Sequence, residues 1–280
     1  MLASKPDPQS LRAFRRRYNQ DRWFNFSALR WGWLDGILIS SKNSGTHWLK
    51  YMLSIALAEQ YGHPRPEYYS ERGTARYVGA PKSKQRLAGL PKLGFAHTIP
   101  HQLLSLRTIR AFAGTPPIAL LVRDPADILE SHFTKWHTQR GLSFQEYLMG
   151  DPTGRRYKCD IYWLARFWNR WGEMAQADPE NLLIVKYEDI QTDPKTALLN
   201  ISEHFGFEFG RLSIAGAIDA GTKAEMRKHQ DPEEEPNIIQ DRKTPRVEMF
   251  SEDAWSTYRT LIDSLFKYDL GYDLLGSKLS

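Results

Sequence analysis

The 280-residue chain holds a single cysteine, Cys159, which excludes an internal disulfide and a multi-cysteine metal site and fits packing in a reducing compartment. It has no run of about 18 apolar residues, and its opening stretch, MLASKPDPQSLRAFRRRYNQ, lacks an apolar core of signal-peptide length. A cytoplasmic protein without stable membrane insertion is expected. Repeats and low-complexity tracts are also missing, so extended disorder is not expected. No basic run reaches five residues. The densest, Arg15-Arg16-Arg17, reads as a solvated helix face, so nucleic acid is not expected as a partner.

What is present is an ordinary globular composition: 41% hydrophobic, 25% charged and 12% aromatic, enough to bury a large core in one domain over 1–280. Thirty-eight Lys and Arg against 33 Asp and Glu leave a net charge of +5, which favours an anionic ligand. Short β-branched or Leu-rich runs at 36–41, 93–97, 118–123 and 182–187 are each followed by turn residues and then helical spacing. The stripe Trp48, Leu49, Met52, Leu53, Ala56, Leu57 predicts a core-facing helix, as does Ile128, Leu129, Phe133, Trp136. Asp193 and Pro194 open a third helix that Gly206 ends. Helices are also expected from Ser143 to Met149 behind a Ser-x-x-Glu cap, from about Asp160 to Met174, and from Ser251 to Phe266. This alternation implies an α/β fold with a central parallel sheet covered by helices, and a ligand site outside the carboxyl ends of the strands. Residues 62–92, rich in Pro, Gly, Arg and Lys, read as a candidate lid.

The junction GILISSKNSGTHWLK, 36–50, passes from a strand through Lys42, Asn43, Ser44, Gly45, Thr46 and His47 into a helix. Unpaired amides and the positive end of the helix dipole meet there, a setting for phosphate or sulfate. The nucleotide-triphosphate pattern G-x-x-x-x-G-K-[ST] does not fit: position 40 is Ser, and His47 stands where that pattern has Lys. A kinase-like phosphotransferase, with Asp124 at the end of IALLVRD directing a metal, is the alternative reading.

Strand, SKNSGTHW and helix together resemble the 5′-phosphosulfate loop of sulfotransferases that use 3′-phosphoadenosine 5′-phosphosulfate (PAPS), typically Pro-Lys-Ser-Gly-Thr-Thr-Trp. Ser44, Gly45, Thr46 and Trp48 match; His47 replaces the second Thr, and Asn43 takes the position of the catalytic lysine, with Lys42 one residue earlier. LVRDPADILESHFTKW is similar to the family's Arg-x-Pro-x-Asp-x-x-x-Ser segment, which implies Arg123 and Ser131 at the donor's 3′-phosphate. LLIVKYEDIQTDP resembles the strand end whose tyrosine lies near adenine, here Tyr187; a buried structural tyrosine is the other reading. AGTKAEMRK and DRKTPRVEMF look like the adenine-side segment and the closing loop, which implies Thr222 near adenine and Arg242 and Lys243 over the 3′-phosphate, with Thr244 in the same donor-binding loop where the family has Gly. GFAHTIP resembles Lys-Thr-His-Leu-Pro, whose histidine is the base, and so implies His97 in that role, with Phe95 in place of the lysine.

The resemblance implies a sulfotransferase that moves a sulfuryl group from PAPS, with adenosine 3′,5′-bisphosphate (PAP) as product and no metal. The acceptor is expected to be a small, apolar or aromatic hydroxyl compound. Residues 1–33 fall on the acceptor side, and Trp23, Phe24, Trp31, Trp33, Trp136 and the region from Tyr68 to Tyr77 are candidates for its pocket. The displaced lysine keeps a third reading open, a catalytically silent nucleotide-binding homologue.

Overall fold

Five short parallel strands, β1 (Gly36–Ser40), β2 (Val78–Gly79), β3 (Leu93–Ala96), β4 (Ile118–Val122) and β5 (Leu182–Lys186), form one sheet in the order β2-β3-β1-β4-β5. The computed structural model describes residues 6–83, 86–137, 141–233 and 249–275. In register, Ile39 lies beside Ala96 on one side and Leu120 on the other. β1 and β4 are buried at every position, as strands covered on both faces must be. Alternate side chains divide the core. Ile37, Ile39, Ile118 and Leu120 enter one cluster with Phe167, Trp168 and Trp171, while Leu38, Ala119 and Leu121 enter a second with Leu49, Met52 and Leu53. Full burial of each Leu, Ile, Met or Phe side chain among them contributes about 1.5–3 kcal/mol.

The covering helices are α1 (Pro8–Phe24), α2 (Thr46–Gln60), α3 (Glu71–Thr74), α4 (Arg107–Ala113), α5 (Pro125–Trp136) and α6 (Phe144–Leu148), followed by α7 (Ile161–Ala177), α8 (Tyr187–Thr192), α9 (Pro194–His204), α10 (Arg211–Ala220), α11 (Lys223–Lys228) and α12 (Glu252–Leu265). Side chains fix several starts. Asp193 accepts from the Thr196 amide ahead of Pro194, Asp160 accepts from the Trp163 amide, and Ser143 with Glu146 closes a reciprocal capping box.

The four expected strands each end one residue earlier than the sequence suggests. The segment 62–92 departs further from the expectation. It supplies the edge strand β2 and the one-turn α3, and it buries Tyr69, Tyr77 and Val78. A two-residue strand has no readable period, which is why it could not be picked out. No helix among the described residues is long and apolar enough to cross a membrane.

From β1 the chain moves to β3 on one side and later to β4 on the other. The carboxyl end of β1 is therefore the switch point of the sheet, where α/β folds open a crevice.

Candidate active site

The loop after β1 is shaped by two left-handed residues. Ser41 donates its amide to Leu121 O at 3.1 Å, the last sheet contact. Asn43 then takes φ 57° and Gly45 takes φ 83°. A Cβ on Gly45 would stand 2.4 Å from the Tyr187 ring, so only glycine allows that ring to lie against the loop. Ser44 Oγ donates to Ser41 O at 2.5 Å and closes the turn. α2 starts at Thr46 with no side-chain cap, leaving the amides of its first turn facing the crevice with the positive end of the dipole. The Thr46 hydroxyl turns back to Ser40 Oγ at 2.8 Å.

Beyond the loop, Arg123 leaves the end of β4 and lays its guanidinium over the Tyr187 ring, 4.6 Å from the centroid. Its Nη1 donates to Asn43 O at 3.4 Å, its Nη2 lies 3.5 Å from Asp127, and its buried Nε has no partner among the described residues. Trp48 meets Tyr187 edge-on at 5.7 Å and donates its indole N–H to Gly221 O at 2.7 Å. The next residue, Thr222, caps α11. Ser131 stands about two turns into α5, partly exposed. Gly45, Trp48, Arg123, Tyr187 and Thr222 thus come together around one wall of the crevice. Arg242, Lys243 and Thr244 lie outside the described residues.

On the other wall, His97 follows β3. Its Nδ1 is 2.7 Å from Ser40 O, and because a carbonyl can only accept, Nδ1 carries the proton and Nε2 keeps its lone pair. Crowding by surrounding protein, aided by the Lys42 and Lys50 cations, pushes its pKa from 6.5 down to about 4, against the raising effect of the Ser40 bond. As a residue His97 is nonetheless exposed to solvent. It is neutral at pH 7 and available as a base. His47, at the start of α2, is also held neutral, mainly by burial, with a pKa near 4 and an unpartnered buried Nδ1.

The two residues at the displaced lysine diverge. Asn43 turns its amide N–H to His132 Nδ1 at 2.8 Å, a buried histidine on α5. Lys42 goes the other way, donating to Lys158 O with its ammonium 4.6 Å from the centre of the Trp163 ring. Where Phe95 replaces the expected lysine, the buried Lys50 ammonium sits 4.4 Å over the Phe95 ring and pairs with Glu71.

Lys42 and His97 line one cleft of about 490 Å³, bounded by α1, residues 154–158 and α7. None of the aromatic side chains expected to build an apolar pocket lines it. Trp31 is in the core, Trp33 donates to Pro81 O, and Tyr68 and Tyr77 border a separate depression. Arg17, expected on a solvated face, turns into the cleft, and it is joined by Arg155, Arg156, Lys158 and Arg166. Sequence reading missed these four. The one available signal was GRRYK, an aperiodic basic cluster in a loop. Among the described residues, no group of three or more His, Cys, Asp or Glu could hold a metal ion.

A family model described as a sulfotransferase domain matches residues 34–243. Among solved structures, a mouse sulfotransferase, SULT7A1, complexed with PAP is similar at 15% identity with a TM-score of 0.52, covering 89% of this chain and 88% of that one. Retinol dehydratase in a complex with retinol and PAP is similar at 15% identity with a TM-score of 0.51, covering 95% and 88%. At these identities the likeness speaks for the fold. No curated protein sequence matches the chain.

Proposed function

The chain belongs to the sulfotransferase family, and we propose that it moves a sulfuryl group from PAPS to a hydroxyl of a small acceptor, with His97 as general base. The observation that carries this reading is the pairing of His97, its Nε2 lone pair free, with Lys42 on one cleft beside the α2 loop. Both solved structures described above hold PAP, which supports PAPS as donor.

The residues fit that nucleotide. An uncapped helix start, a loop that only glycine can close against Tyr187, and a buried guanidinium nitrogen without a partner suit a phosphorylated ligand. The α2 amides and Lys42 would hold the phosphosulfate, and Arg123 and Ser131, with Arg242, Lys243 and Thr244, the 3′-phosphate. Tyr187, Trp48 and Thr222 would flank adenine.

His97 Nε2 takes the acceptor's proton as its oxygen attacks sulfur. The bond from sulfur to the bridging 5′-phosphate oxygen breaks, and its electron pair leaves with PAP. Fixed N–H groups and the Lys42 ammonium stabilise the charge that develops on that oxygen. Ser40 O holds the ring so that Nδ1 stays protonated throughout.

The test is transfer of labelled sulfur from PAPS to a library of hydroxyl compounds. One equivalent of PAP per sulfated product is expected. Tight PAP binding without any transfer would identify a silent homologue, and stabilisation by ATP with magnesium in preference to PAP would return the kinase-like reading.

A further inference from the structure

The cleft beside His97 carries far more positive charge than one sulfuryl group explains. Arg17, Lys42, Arg155, Arg156, Lys158 and Arg166 line it, against one carboxylate, Asp21. We infer that the acceptor is itself an anion, a hydroxyl compound bearing a carboxylate, sulfate or phosphate ester that docks on the guanidinium cluster of α1, α7 and residues 154–158. The inference rests on the sulfuryl-transfer reading and names the substrate class of that site.

Asp21 is already shared. Arg166 Nε donates to its Oδ2 at 2.9 Å while Arg17 Nη2 lies 3.5 Å from its Oδ1. One carboxylate therefore serves two guanidinium groups. The arginines retain unused donors, since Arg166 is only 2% exposed yet its Nη1 has no partner, and the buried Nε of Arg17 has none either. Leaving such donors unmet is costly, and a bidentate oxyanion is what a guanidinium fork fits.

Arg155, Arg156 and Lys158 form no ion pair among the described residues and reach the cleft from solvent. Their loop is anchored, because Asp151 accepts the amides of Arg155 and Arg156, both at 2.8 Å, which aims this edge at the cleft. Gly154 keeps the approach open, as a Cβ there would lie 3.1 Å from Arg166 Nη2. The burden of like charge is felt at Lys42, whose ammonium is held below its usual pKa by burial first and then by Lys158 and Arg166.

The donor does not account for this cluster. Every residue assigned to PAPS lies on the β1 loop, α2, α5, the ends of β4 and β5 or later segments, whereas the cluster, Lys42 apart, sits on α1, residues 154–158 and α7. A volume of about 490 Å³ suits a small molecule.

The experiment compares a panel of hydroxybenzoic acids and uronic acids with their methyl esters. It reads kcat/KM with PAPS, and Kd on the PAP-loaded protein by calorimetry. Acids are expected to be preferred roughly 10- to 100-fold, the scale of one or two charge-assisted contacts, and the preference should shrink in high salt. In the double variant Arg155→Ala with Lys158→Ala, both exposed positions, the acid-to-ester ratio should fall toward one. A panel in which no acid is bound or turned over better than its ester overturns the proposal, while sulfation of any ester with release of PAP leaves sulfuryl transfer standing. Absence of PAP binding overturns both.

Discussion

The two walls of the crevice are built on opposite principles. The donor wall is a short chain segment whose backbone does the work: a helix start, two left-handed residues and a glycine pressed on Tyr187, with Arg123 sealing the side. The acceptor wall is an assembly of side chains from α1, residues 154–158 and α7, far apart in sequence, meeting over Asp21. Backbone-built sites constrain residue type at adjacent positions and so leave a motif. Side-chain assemblies constrain only the sum of charge and shape, and can be rebuilt without leaving one.

The largest effect expected from separating the walls is at their meeting point. His97→Ala should lower kcat by roughly 10²–10⁴ while leaving PAP affinity intact, as measured by turnover beside calorimetry. Unchanged turnover would move the base elsewhere, with His47 next in line. Lys42→Ala should cost somewhat less, on the order of 10²–10³ in kcat if the ammonium stabilises the leaving oxygen, with a smaller change in PAP affinity. A neutral result there, joined to a gain in Asn43→Lys, would mean that Lys42 serves the acceptor wall alone.

On the donor wall, Arg123→Ala should weaken PAP by about 10- to 100-fold and leave 5′-AMP nearly unchanged, because the lost contact is to the 3′-phosphate. Equal losses for both nucleotides would reassign Arg123 to packing on Tyr187.

The same contrast sets what could be read in the sequence. The strands at 36–40, 93–96, 118–122 and 182–186 and the caps Asp160, Asp193 and Ser143 are local signals, and each was legible within a residue. So was the gathering of Gly45, Trp48, Arg123, Tyr187 and Thr222, since each stands at a strand end or a helix start. The edge strand Val78–Gly79 was hidden because two residues carry no period. The cationic cleft was hidden for a different reason. Arg17 and Arg166 are 149 positions apart in number and share Asp21, and nothing in helical spacing distinguishes an arginine that faces solvent from one that turns inward. The aromatic residues near the N-terminus misled in the same way, as Trp31 was taken by the core.

The smallest effect concerns how the donor loop is held. Asn43 sits at φ 57° with its amide donating to His132 Nδ1, a contact that requires a neutral imidazole. Burial is the main cause that pushes His132 down to about 3, with the neighbouring His137 and the Lys42, Lys135 and Lys158 cations adding to it, whereas an unfolded histidine titrates near 6.5. Between those values the unfolded chain binds a proton that the folded one refuses. Stability from this group is therefore complete above about pH 6.5 and declines as pH falls toward the folded value. His47 and His97, both lowered to about 4, have the same sign. Tm should drop on going from pH 7.5 to 5. In His132→Gln, which keeps a polar side chain near Asn43 but cannot titrate, the slope of Tm against pH should be shallower even if the plateau is lower. A slope equal to that of the parent protein would show that the acid sensitivity arises elsewhere and that the Asn43 contact does not depend on a neutral His132.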